Sequence, residues 1–220
     1  MKCLLYQIIN NHASLTSHHC WLSNKRVRLY LGIDDDDQFW IDHHSEITTP
    51  GWFEKRVFFF KKTQRNRIPF NEIAKKAFDD GSEYFVRIND DTEFLTKGWI
   101  TLGVETLLGY NPPNVGVVGP SCSQGKTTIM THDMVHKTHL QIFGALNYYP
   151  QVFRNWYCDD WITEVYKESA NITNRSTQLK NWVVHHHAGT PRYEPDREIP
   201  SFLTELTLGR SKIEQFIATK

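Results

Sequence analysis

Residues Tyr84 to Ile88 (YFVRI) form a run of aromatic, aliphatic and β-branched character that leads straight into Asn89-Asp90-Asp91. Such a run reads as a buried central strand of an α/β sheet. A strand of this kind needs cover on both faces, and ligands of open α/β sheets bind beyond the carboxyl ends of the strands. Two carboxylates placed there repel each other unless a cation or a set of donors compensates them, and hard oxygens favour Mg²⁺ or Mn²⁺. The simpler alternative for Asp90 and Asp91 is a solvated, helix-capping acid pair.

Strand-like and helical runs alternate along the chain, as in an α/β fold. Leu4 to Ile9, Val27 to Ile33 and Val57 to Phe60 read as strands before Tyr84 to Ile88. Val115 to Val118 and Trp182 to His187 follow it. Asn71 to Phe78, Trp99 to Leu108, His132 to Phe143 and Trp161 to Lys167 read as helices, and Thr204 to Ala218 as a peripheral helix. At 220 residues the chain suits a single domain, residues 1–220, with a core over about 1–195 and the helix 204–218 at its margin.

Charge and cysteine usage narrow the partners. Lys+Arg and Asp+Glu both number 25, so long-range electrostatics give no support to a nucleic-acid or anionic-membrane partner. Cys3, Cys20, Cys122 and Cys158 lack CxxC spacing, which favours free thiols in a reducing compartment and leaves the sequons at Asn171 and Asn174 unused. No run reaches membrane-spanning length, and Met1 to Asn10 lacks a cleavage site. The expectation is a cytoplasmic chain without signal peptide or membrane span.

Several motifs carry chemistry or imitate it. Asp34 opens the acid run Asp34 to Asp37 at a strand end, where a carboxylate can accept hydrogen bonds from ribose hydroxyls or a base N–H. The other three read as a solvated loop. Gly119 to Thr127 (GPSCSQGKT) resembles a phosphate-binding loop but puts five residues between its glycines where that motif needs four. Gly119 is read instead as a point of close backbone approach to a ligand. His132, His136 and His139 share a face if their segment is helical, one residue type away from the HExxH of zinc peptidases. A zinc-dependent hydrolase is therefore one alternative, and surface or supporting histidines are the simpler one.

Asp159 and Asp160 stand at a helix start between Trp156 and Trp161. Helix capping would explain acids there. Indole faces also make platforms for sugar rings, and low-dielectric walls raise a carboxylate's basicity. Asp160 is read as a general base and Asp159 as a ligand for acceptor hydroxyls, with the two roles exchangeable. In His185-His186-His187, alternation puts His185 and His187 on one face, where an imidazole can complete an oxygen-rich metal site.

Taken together, Ile68 to Asn71 (IPFN), Tyr84 to Trp99 (YFVRINDDTEFLTKGW), Val115 to Pro120 (VGVVGP), Val135 to Gly144 (VHKTHLQIFG), Trp156 to Tyr166 (WYCDDWITEVY) and Gly189 to Tyr193 (GTPRY) resemble metal-dependent GT-A glycosyltransferases. The wording is nearer still to glycosyltransferase-like proteins encoded by large chlorella viruses and by algae, which would place the chain in host cytoplasm. The resemblance implies a Rossmann-like domain with a mixed, mostly parallel sheet flanked by helices. It implies Mn²⁺ (or Mg²⁺), a UDP-sugar donor, a glycan or glycoprotein acceptor, and inversion at the anomeric carbon.

By position, Asp91 corresponds to the last acid of the family's DxD motif and would bind the metal. Asp90 would touch the ribose or the metal's water shell. Asn89 stands where the first acid is expected, leaving Asn-x-Asp. Asp159 and Asp160 match the acid pair that supplies the base. His185, ahead of His187, matches the late metal ligand, and Arg67 and Asn71 fall where such enzymes contact the nucleotide. A carbohydrate-binding module that keeps the fold without turnover is the remaining alternative.

Overall fold

The computed structural model describes residues 3–10, 25–47, 53–61, 68–89, 92–122, 128–186 and 201–220, with backbone alone for 3–10, 25, 26, 53 and 186. Its strands are β1 (Cys3–Asn10), β2 (Lys25–Asp34), β3 (Phe53–Phe60), β4 (Tyr84–Ile88), β5 (Thr92–Phe94), β6 (Val117–Cys122), β7 (Asp133–His136) and β8 (Ser176–His186). The helices are α1 (Gln38–His43), α2 (Phe70–Asp79), α3 (Trp99–Leu108), α4 (Thr138–Phe143), α5 (Cys158–Val165) and α6 (Phe202–Ala218). The strands make one sheet in the order β3-β2-β1-β4-β7-β6-β8-β5. This is a mixed α/β architecture.

Strand alternation assigns each face its cover. Phe85 of β4, Tyr30 of β2, Val117 of β6 and Val135 of β7 join one apolar layer with Ile73 and Ala77 of α2, Leu140 of α4, Trp161 and Ile162 of α5 and Ile213 of α6. Tyr84, Val86 and Ile88 point the other way, into a layer with Val104 and Leu107 of α3 and with Trp182 of β8. Five consecutive buried residues in β4 are what a strand covered on both faces requires. Helix α2 presents Phe70, Ile73, Ala74 and Ala77 to the core, the i, i+3, i+4, i+7 stripe of an amphipathic helix.

Two expectations need correction. The sheet is not mostly parallel in its pairing: β1 pairs antiparallel with β2 and β4, β7 with β4 and β6, and β5 with β8, leaving β2–β3 and β6–β8 parallel. Strands β2, β3, β4, β6 and β8 nonetheless run one way, because β1 and β7 are interleaved between them in the opposite sense. The segment His132 to Phe143 is also not one helix. Residues 133–135 are fully buried in β7, and a four-residue strand between two others is too short to display its period in sequence.

Helix α6 is less peripheral than expected. Gly209 lies so close to α5 that a Cβ there would stand 2.6 Å from Val165 Cγ2. The Trp161 indole N–H donates to the Glu205 carbonyl at 3.2 Å, and Arg210 donates to the Glu164 carbonyl at 2.9 Å. Cys122 and Cys158 are free and buried. Among the described residues no helix is long and apolar enough to cross a membrane.

Histidines form part of this core. His139 of α4 is sealed in, with Nδ1 hydrogen-bonded to the Tyr166 hydroxyl at 2.9 Å and Nε2 to the Tyr148 carbonyl at 2.8 Å. Burial lowers its pKa to about 4, and that of His136 likewise. Because the folded pKa lies below the unfolded one, the unfolded chain binds more protons between about pH 6.5 and 4. Stability is therefore retained above that window and lost as pH falls through it. His139 alone accounts for a loss on the order of 3 kcal/mol by pH 4. Urea unfolding at pH 7 and near pH 4 measures it, and in His139→Gln the slope of stability against pH should flatten. An unchanged slope in that variant would contradict the assignment.

Candidate functional site

The shared direction of β2, β4, β6 and β8 brings their carboxyl ends to one edge of the sheet. Asp34 ends β2, Asn89 follows β4, and His185 lies one residue before the end of β8. The antiparallel β7 starts at the same edge, with Asp133 opposite Arg87, and β5 starts there with Thr92 opposite His186. In an open α/β sheet this edge is where ligands bind.

The floor of the site is a buried ionic junction. Arg87 points from β4 into the layer that holds α2 and α5. Its Nε donates to Asp133 Oδ2 at 3.1 Å and to the Tyr149 hydroxyl at 2.9 Å, Nη1 to Asn89 Oδ1 at 3.3 Å, and Nη2 to Asp159 Oδ1. The guanidinium also lies over the rings of Phe70 and Tyr149, 5.4 and 5.9 Å from their centroids. Asp133 is completely buried and accepts from Tyr148 and Tyr149, each at 2.6 Å. Burial alone would depress the Arg87 pKa, but Asp159, Tyr149 and Asp133 together hold it well above the ordinary value. Burial raises the Tyr148 and Tyr149 phenols, so they remain hydrogen-bond donors.

Asp159 is where this junction meets the open edge. Its side chain keeps 30% of its surface accessible although Oδ1 is held by Arg87. Burial of the carboxylate pushes its pKa up to about 6 against the opposing pull of Arg87, and Asp133 and Asp160 add to the rise. A carboxylate of that basicity can exchange a proton near neutral pH.

The turn that delivers it is strained. Tyr157 precedes α5 at φ 70°, which a bulky residue rarely adopts and which costs on the order of 1–3 kcal/mol. The Tyr157 ring rests beside Phe153 and Phe202, and its carbonyl accepts the Trp161 N–H at 2.8 Å. Trp156 is 41% exposed beside this turn, open for stacking, whereas Trp161 is buried and belongs to the core instead of forming a sugar platform.

The other sequence candidates separate into three groups. Asp34 is buried at the strand end, while Asp35 and Asp36 are exposed and Asp37 caps α1 through its contact with the Trp40 N–H at 3.3 Å. This is the division expected of the acid run. Asn71 and Gly119 have different work from that expected. The Asn71 amide donates to the Tyr149 carbonyl at 2.9 Å and accepts from the Tyr149 N–H at 2.8 Å, so it fixes that tyrosine's backbone and has little left for a nucleotide. A Cβ on Gly119 would stand 2.5 Å from the His132 carbonyl oxygen, so the close approach that glycine permits is to the chain's own backbone. Arg67, Asp90, Asp91 and His187 lie outside the described residues, as does the loop 123–127.

The histidine trio does not converge. His132 lies just before β7, hydrogen-bonded through Nε2 to Thr92 at 2.6 Å and through Nδ1 to Thr131 at 3.0 Å. His136 ends the strand and bonds Thr138, while both nitrogens of His139 are occupied in the core. Without a shared helix the HExxH-like spacing loses its geometric basis. Among the described residues no three His, Cys, Asp or Glu side chains are grouped to hold a metal ion.

Arg87, Asp133, Tyr148 and Tyr149 were missed as site residues by sequence reasoning. A signal was present: Arg87 interrupts an otherwise apolar strand and Asp133 opens another, and a charge on a buried strand demands a buried partner. Pairing the two required knowing that β4 and β7 are neighbours. Removing one partner of such a pair leaves an uncompensated charge, so Asp133→Ala should destabilise the fold by about 3–5 kcal/mol in chemical denaturation. A loss below about 1 kcal/mol would show that Arg87 does not depend on it.

Comparison with protein-family models, curated proteins and solved structures gives no match.

Proposed function

We propose that this chain is a glycosyltransferase of the GT-A type, transferring a sugar from a nucleoside diphosphate, UDP in the first instance, to a glycan hydroxyl. The observation that carries the reading is the convergence at one sheet edge of the ends of β2, β4 and β8 with the start of α5, which Arg87 joins to β4. Nucleotide-sugar chemistry needs a carboxylate for the nucleoside, charge compensation for the diphosphate and a proton acceptor. Asp34 and the Asp159–Asp160 pair supply the first and last of these at that edge. Exposed Trp156 offers an apolar face next to the acids, suited to a pyranose ring.

Mn²⁺ or Mg²⁺ follows from the sequence resemblance. His185 is the one implied ligand among the described residues, and those residues alone make no metal site. Such an ion would compensate the charge of the departing diphosphate. The chain's own residues would act on the acceptor side. A carboxylate of the Asp159–Asp160 pair takes the hydroxyl proton as the oxygen attacks the anomeric carbon from the face opposite the diphosphate, giving inversion.

Screening nucleotide sugars for metal-dependent release of UDP tests the reading without knowledge of the acceptor, because slow donor hydrolysis reports the donor. The expected result is release from one UDP-sugar with Mn²⁺ and none with chelator. In Asp91→Ala, calorimetry should show Mn²⁺-dependent UDP binding weakened by about tenfold or more. Metal-independent, unchanged affinity in that variant would remove the claim, and binding without any release would leave a carbohydrate-binding module.

A further inference from the structure

Asp159 and Asp160 are adjacent acids in the first turn of one helix, and the structure distinguishes them. Arg87 holds Asp159 by Oδ1 alone, and among the described residues nothing bonds Oδ2, while the side chain retains its accessible surface. Arg87 cannot swing away. Its Nε is fixed by Asp133 and the Tyr149 hydroxyl, Nη1 by Asn89, and its plane by Phe70 and Tyr149. Those anchors are themselves fixed: Asp133 by two tyrosine hydroxyls, and Tyr149 by both amide atoms of Asn71. A chain of single-geometry contacts therefore runs from the core to one oxygen of one carboxylate.

Building on the glycosyltransferase reading, we infer that Arg87 is a positioning residue that turns Asp159 Oδ2 outward, and that Asp159, not Asp160, takes the acceptor's proton. The acceptor oxygen forms its bond to the anomeric carbon, and the bond from that carbon to the diphosphate oxygen breaks with its electron pair leaving on UDP. The acceptor proton passes to Asp159 Oδ2. The charged groups that act on Asp159 are Arg87 from β4, Asp133 from β7 and Asp160 on its own helix, and the phenols of Tyr148 and Tyr149 donate to Asp133 behind them. Of these, Arg87 alone is cationic. It favours the ionised carboxylate while surrounding burial opposes ionisation, so the group is charged at neutral pH yet remains basic.

The test reads the protonation of Asp159 directly and its consequence separately. In protein labelled with ¹³C-aspartate, the carboxyl resonance absent from Asp159→Asn is followed with pH. In wild type, the Arg87 guanidinium ¹⁵N resonances should move with the same midpoint, and that movement should vanish in Asp159→Asn. Arg87→Gln should shift the Asp159 midpoint upward by about 1–3 pH units. If that variant does not fold, the paired movement in wild type still decides. An Arg87 resonance indifferent to Asp159 overturns the positioning role.

With the UDP-sugar found by the screen, Asp159→Asn should slow UDP release about 10²-fold or more at unchanged donor affinity. Asp160→Asn should slow it far less, and Arg87→Lys should fall between them. The reverse order for the two aspartates overturns the assignment of the base. If wild type releases UDP from no donor, the transferase reading fails and the base with it, while the resonance data still decide whether Arg87 holds Asp159.

Discussion

The arrangement of this protein depends on one buried cation. Arg87 sits in the middle of the sheet, where an unpaired guanidinium would carry a penalty of several kcal/mol. Its partners come from β7, from the Tyr148–Tyr149 segment and from the first turn of α5. Meeting that requirement fixes three separate pieces of chain against β4. Replacing such a junction with apolar residues could stabilise the fold, so its presence calls for an explanation beyond stability. The partly accessible carboxylate of Asp159 provides one, because a carboxylate held by a fixed guanidinium in a partly dry setting is prepared to exchange protons.

Strain and packing around α5 point to the same place. The left-handed backbone of Tyr157 puts the helix start at an angle that brings Asp159 over β4, and the cost is met by packing on Phe153 and Phe202 and by the close seat of α6 at Gly209. Helix α6 thereby braces the site helix from behind. An element distant in sequence from every candidate acid contributes to the site through contacts that are wholly apolar or backbone-mediated.

The sequence announced β4, α2 and α3 well, because each carries an unmistakable pattern: a five-residue buried run, an amphipathic stripe closed by Gly81, and a long apolar helix before the Pro112-Pro113 turn. It misled where patterns were short or ambiguous. His132 to Phe143 read as one helix, on which the three histidines would share a face, while the segment is a short buried strand followed by a core helix, with His132 just ahead of the strand. Strand direction has no signature in a hydrophobic pattern, so the antiparallel insertion of β1 and β7 was invisible. Among the candidate site residues, the places of Asp34 at a strand end and of Asp159 and Asp160 at a helix start were legible from the pattern around them. The pairing of the Asn71 amide with the Tyr149 backbone was not legible, and the Arg87–Asp133 pair depended on a long-range strand neighbour that no local reading supplies.

The central claim is that the edge formed by the ends of β2, β4 and β8 and the start of α5 is the ligand site. Amide and side-chain NMR of the uniformly ¹⁵N-labelled protein, titrated with UDP in the presence of Mn²⁺, tests it most directly. The account predicts that perturbations concentrate at Asp34, Asn89, the Arg87 guanidinium, residues 157–160 and His185, and that α6 and the opposite sheet edge around Arg28 and Asp80 stay unchanged. Perturbations confined to that opposite edge, or saturable binding that leaves Asn89 and Arg87 untouched, would contradict it.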